Sequence, residues 1–84
     1  MFSAESIQAL LLERLPDCEV RVLNEHDDGE HFSAEVTSSA FVGKNRVQQH
    51  QLVYAALGEH MRRDIHALQL RTYLPAQWSQ RENA

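Results

Sequence analysis

Gly43, set between an aromatic-led segment and a helix-forming run, constrains this chain more than any other residue. It stands in Phe41-Val42-Gly43-Lys44-Asn45-Arg46-Val47, and no other glycine occurs between Gly29 and Gly58. The backbone is free there to take a positive φ or to approach a partner without a Cβ in the way. Asn45 is then placed to cap the helix that follows. Val47, His50, Tyr54, Leu57 and Met61 recur at three- and four-residue steps. That spacing predicts one packing face, widened by Val53 and Ala56. The helix is expected to end near Arg62-Arg63, whose cations suit the negative end of its dipole.

The segments on either side are shorter and simpler. Ser3 reads as an N-cap with Glu5 in the first turn, and Ile7, Leu10, Leu11 and Leu15 share a face until Pro16 stops the helix. Cys18, Val20 and Val22 alternate with Glu19 and Arg21, which predicts a half-buried strand with the cysteine facing inward. Residues 24–30 are polar with one glycine and read as a hairpin loop. Phe32, Ala34 and Val36 alternate with His31, Ser33, Glu35 and Thr37 as a second strand, antiparallel to the first. A third strand is expected over residues 65–73. Pro75 is placed for the first position of a closing helix, from which Trp78 is expected to fold back over the core.

The order helix, strand, strand, helix, strand, helix defines an α+β domain over residues 1–84, a three-stranded mixed sheet with helices packed on one face. The second strand, the central helix and the third strand form a βαβ unit, so those two strands run parallel and begin at the same end of the sheet. His31 opens one and His66 opens the other, beside the loop that carries His26. Histidines gathered at one edge look like half of a metal site.

Composition narrows the partners. Eight Lys/Arg against twelve Asp/Glu leave a net charge of −4, without the basic surplus that non-specific binding to phosphate backbones relies on. Cys18 is the single cysteine, which excludes an internal disulfide and a self-contained Cys-rich metal site and suits a reducing compartment. No apolar run approaches the roughly 18 residues of a membrane span, so the expected location is cytoplasmic, with no membrane partner. There is no nucleophile elbow, phosphate loop or carboxylate pair of the kind enzymes use, and the chain is not expected to be an enzyme.

Phe41-Val-Gly-Lys44, Arg46-Val47, His50, Val53-Tyr54, Ile65-His66-Ala67-Leu68 and Pro75-Ala76-Gln77-Trp78, taken together and in order, resemble the BolA family, in particular its short IbaG-like and monothiol-glutaredoxin-partner members. The resemblance covers nearly the whole chain. It implies an αββαβ(α) core similar to type II KH domains. It also implies a non-enzymatic partner of monothiol glutaredoxins that shares a bridging [2Fe-2S] cluster, held together with glutathione, in iron-sulfur trafficking or iron homeostasis. The family's C-terminal cluster histidine falls on His66. The second ligand is expected in the loop between the first two strands, at His31 or at His26, with His31 preferred on strand geometry. His50 and Tyr54 are read as a partner interface, and a homodimer is a further expectation.

The rival reading is a KH-like transcriptional regulator that binds DNA through the turn at Gly43, Lys44 and Arg46, backed by Arg62, Arg63 and Arg71. Arg46 stands where a GXXG loop has its second glycine, which opposes close approach of a phosphate.

Overall fold

The computed structural model describes residues 3–24, 31–63, 65 and 67–83, with the side chains of all these but 62 and 81–83. Ser3 is in extended backbone, and its hydroxyl accepts from the Ser6 N–H at 3.1 Å, which opens α1 (Ala4–Arg14). Ile7 and Leu11, one turn apart, are fully buried. The helix stops at Leu15, ahead of Pro16. The Pro16 carbonyl then accepts from the Ser38 hydroxyl at 2.6 Å, which ties the end of α1 to the end of the second strand.

β1 (Glu19–Asn24) and β2 (His31–Thr37) pair antiparallel, and β2 and β3 (Ala67–Tyr73) pair parallel, in the sheet order β1-β2-β3. Phe32, Ala34 and Val36 of the central strand are buried on one face beneath the helices, beside Val22. His31, Ser33 and Glu35 take the other face by alternation. A 3-10 turn at Ser39–Phe41 follows, capped by the Ser38 side chain, and it buries Phe41 completely.

Gly43 adopts φ +80°, the turn conformation anticipated for it, and Asn45 caps α2 (Arg46–Leu57) in a reciprocal capping box with Gln48. The face of α2 differs from the apolar count. Val47 is 66% exposed and Tyr54 39% exposed, whereas Gln49, Val53, Ala56 and Leu57 are buried. The helix is turned so that the stripe through residues 49, 53, 56 and 57 meets the sheet. It also ends sooner than expected, at Leu57, because Gly58 takes φ +55° as its C-cap. A separate one-turn helix, α3 (His60–Arg63), follows. The Arg14 guanidinium donates to the Ala56 carbonyl at 2.7 Å and holds α1 against the end of α2.

Pro75 begins a 3-10 segment, Pro75–Asn83, in place of an α-helix. Trp78 is half-buried and packs edge-on to Tyr73, ring centroids 5.9 Å apart, rather than over the core. Strand parity is the reason. Thr72 faces α2, so Tyr73 faces away from it, and its hydroxyl reaches the Glu35 carboxylate at 3.4 Å on the helix-free face.

Leu57→Ala should therefore cost about 2–5 kcal/mol, and Val47→Ala less than about 0.5 kcal/mol, in urea titrations. Similar losses at both positions would mean that α2 presents the stripe through Val47 and Tyr54 to the sheet. Trp78→Ala should fall short of the roughly 3 kcal/mol of a fully buried aromatic truncation.

Candidate functional site

His31 is the first residue of β2, half-buried, on the face opposite Phe32. Its register partner in the parallel strand is Ala67, the residue that follows His66 in the chain. The partner is thus one residue beyond the one the strand geometry suggested. His66 and His26 lie outside the described residues. Among the described residues, no group of three or more His, Cys, Asp or Glu is placed to hold a metal ion.

The basic residues do not form one patch. Arg46, at the start of α2, and Arg71, on β3, line a common cleft of about 210 Å³ with His50, Leu70, Thr72 and Tyr73. Arg63 lies beyond the far end of α2, pairs with Glu59 at 3.8 Å, and lines a different cavity with Arg14, Leu57 and His60. The side chain of Arg62 is outside the described residues. Lys44 is exposed next to Gly43 and lines neither cavity. A Cβ added to Gly43 would meet nothing within 4 Å, so this glycine serves the turn and not a close packing contact.

Thr72, which lines the first cleft, is held by Gln49 of α2, and the apolar periodicity passed over both. The Thr72 hydroxyl donates to Gln49 Oε1 at 2.7 Å, and Gln49 Nε2 donates to the Lys44 carbonyl at 2.8 Å. The spacing of Gln49 from Val53, Ala56 and Leu57, by four, seven and eight residues, is the signal that places it inward.

The His50 ring stands edge-on to Tyr54, centroids 6.4 Å apart. Its Nε2 is covered and has no hydrogen-bond partner among the described residues. Burial lowers the His50 pKa, and the Arg46 charge lowers it further. Cys18 is half-buried against the core, and burial, with a smaller effect of Glu19, pushes its thiol up to about 11. It is a small packed side chain and not a nucleophile. No helix among the described residues is long and apolar enough to cross a membrane.

A mixed three-stranded sheet with α1 and α2 on one face and a βαβ crossover through a glycine turn defines an α+β protein of the BolA fold. The BolA family model, described as BolA-like protein, matches residues 17–77. Acid stress protein IbaG of Escherichia coli (strain K12) is 36% identical over 74 residues, covering 87% of this chain and 84% of that protein. BolA-like protein 1 of Homo sapiens is 46% identical over 54 residues, 64% of this chain, and the match spans only 38% of that relative's length. Among solved structures, a BolA protein homologue from Coxiella burnetii superposes with TM-score 0.82 at 38% identity, covering 94% of this chain and 99% of the other. The chain belongs to the BolA-like family.

The lowered His50 pKa sets a pH expectation. The unfolded histidine holds its proton to higher pH than the folded one, so stability falls as pH drops from about 6.5, the unperturbed value, toward the folded pKa. By NMR, the His50 ring should titrate below about 6.5, and Arg46→Gln should move it upward. A midpoint unchanged by Arg46→Gln would remove the arginine as a cause.

Proposed function

We propose that this chain is a non-enzymatic partner of monothiol glutaredoxins that shares with them a bridging [2Fe-2S] cluster, in iron-sulfur trafficking or iron homeostasis. The supporting observation is the parallel start of β2 and β3, where His31 pairs in register with Ala67, the residue after His66. Membership of the BolA-like family supports the same reading. The donor set fits: His31 stands at a strand end on the face opposite α1 and α2, preceded in sequence by His26 and the polar residues 24–30. Glutaredoxin and glutathione thiolates would hold one iron, and His66 with His31 or His26 the other. Neutral imidazoles in place of thiolates reduce the cluster's negative charge and raise its potential.

Nucleic-acid binding through residues 43–46 has less support. Open space surrounds Gly43, Arg46 fills the second-glycine position, and the expected basic residues divide between two ends of α2.

The test is to mix the full chain with a cluster-loaded monothiol glutaredoxin and glutathione, following visible absorption and circular dichroism. The wild-type chain should change the spectrum. His66→Ala should abolish that change while leaving the apo unfolding free energy within about 0.5 kcal/mol of wild type. His31→Ala should weaken it, with His26 able to substitute, and acidification should weaken it as well because an imidazole must be deprotonated to ligate. An unchanged wild-type spectrum with no complex would sink the cluster reading, and salt-dependent retention on DNA would favour its rival.

A further inference from the structure

β1 closes one edge of the sheet. Among the described residues its single strand neighbour is β2, so the other side of its backbone faces no strand. Natural edges of this kind are commonly blocked by a proline, a lysine or a bulge. β1 has none of these. Its sequence is Glu-Val-Arg-Val-Leu-Asn, and its six pairs with β2 run on without interruption. Val20 and, just before the strand, Cys18 are half-buried at the margin of the core.

α1 extends the same edge. The Arg14 guanidinium reaches the Ala56 carbonyl, which fixes the side of α1 that faces α2. Leu12 lies two residues back, about 200° round a helix of 3.6 residues per turn, and so points away from α2. Because α1 packs on β1 and α2 on β3, the side of α1 away from α2 overhangs the outer edge of β1. Leu12 is 49% exposed there.

Charge selects the occupant of this edge. A second copy can add to it antiparallel, about a two-fold axis, and the pleat allows pairing only between residues of the same face. With Val20 on the axis, Glu19 stands opposite Arg21 of the second copy, Arg21 opposite its Glu19, and Cys18 opposite its Val22. An axis at Glu19 or Arg21 would set like charges directly opposite, which is destabilising. An axis at Val22 or beyond brings no charge of β1 against its opposite within the strand. In the Val20 register, the row across the sheet reads Arg71, Glu35, Arg21 and then Glu19 of the second copy, alternating in sign.

We propose that β1 pairs antiparallel with β1 of a second copy, with Val20 on the two-fold axis, so that two three-stranded sheets join into one of six strands. The flank of α1 that carries Leu12 is brought toward that of the second copy. The joint is short. Residues 18–22 span about 17 Å of strand, which places the contact at the low end of interface sizes. Association is accordingly weak and reversible, with a dissociation constant of about 100 μM. It uses none of the histidines and stands apart from the cluster reading.

Sedimentation velocity of the full chain from about 10 μM to about 1 mM, a range that brackets this constant, tests the proposal together with amide NMR over the same range. Concentration-dependent shifts are expected at Leu12 and residues 18–22. Glu19→Arg and Arg21→Glu should each weaken self-association by about tenfold or more, because each sets like charges opposite at two places in the joint. Mixed in equal amounts, these two variants should associate with each other about as tightly as wild type, since every charged pair across the joint is again of opposite sign. Unshifted core resonances of Ile7, Phe41 and Val53 show that each variant is folded. A wild-type chain that stays monomeric at about 1 mM, or a mixture that associates no better than either variant alone, would overturn the proposal. Concentration-dependent shifts at Val47 and Tyr54 in place of residues 18–22 would overturn it in favour of contact through the exposed side of α2.

Discussion

Gln49 is the side chain on which the placement of α2 depends. It is a polar group in an otherwise apolar seam, and its amide is used at both ends, accepting from Thr72 of β3 and donating to the Lys44 carbonyl. A buried amide left without partners costs about 1–3 kcal/mol, so rotations of α2 that withdraw Gln49 from Thr72 are penalised. Once Gln49 points at β3, helical geometry sends Val53, Ala56 and Leu57 to the core and leaves Val47 and Tyr54 outside. The same two bonds bring Arg46 and His50, on the neighbouring side of the helix, up to the edge of β3. One polar contact thereby sets both the packing of the crossover helix and the shape of the cleft beside it.

The central strand carries the complementary constraint. β2 is paired on both sides, and its inward residues Phe32, Ala34 and Val36 are buried. A slip of one residue would turn these to the helix-free face. Because β2 and β3 are parallel, the register that buries Phe32 beside Leu68 also pairs His31 with Ala67. The position of His31 at the rim of the sheet is therefore a by-product of core packing.

Much of this was legible from local signals. Ser3, Pro16, Asn45 and Gly43 each act through their own backbone or nearest neighbours, and each has the role its residue type predicts, whereas Pro75 starts its segment as expected but in 3-10 rather than α geometry. The strands were legible because alternation is local as well, and the parallel start followed from the handed crossover. What was not legible depended on choices between competing surfaces. Residues 47, 50, 54 and 57 form an apolar stripe as regular as 49, 53, 56 and 57, and only the polar bond to Thr72, twenty-three residues away, decides between them. Gly58 is the usual residue type for a helix stop, but the apolar spacing that runs on to Met61 masked that signal. The cleft was invisible because its lining comes from different elements, Arg46 and His50 of α2 and residues 70–73 of β3, which only the crossover brings side by side, while Arg63 lines a different cavity.

The parallel arrangement sets His31 and the cleft at different points along one strand pair. His31 and Ala67 mark the end where β2 and β3 begin, and the arginine cleft occupies the span from Leu70 to Tyr73 near the end where they finish. The strand rise of about 3.3 Å per residue spaces these ends by about 10–20 Å, beyond the Debye length of about 8 Å at physiological ionic strength. Charge brought to the histidine end is consequently screened from Arg46 and Arg71. The cavity also borders β3 and the exposed side of α2, whereas His31 faces the side of the sheet opposite α1 and α2. A partner seated over the starts of the strands would thus leave the cleft open, and direct electrostatic coupling between the two ends would be weak.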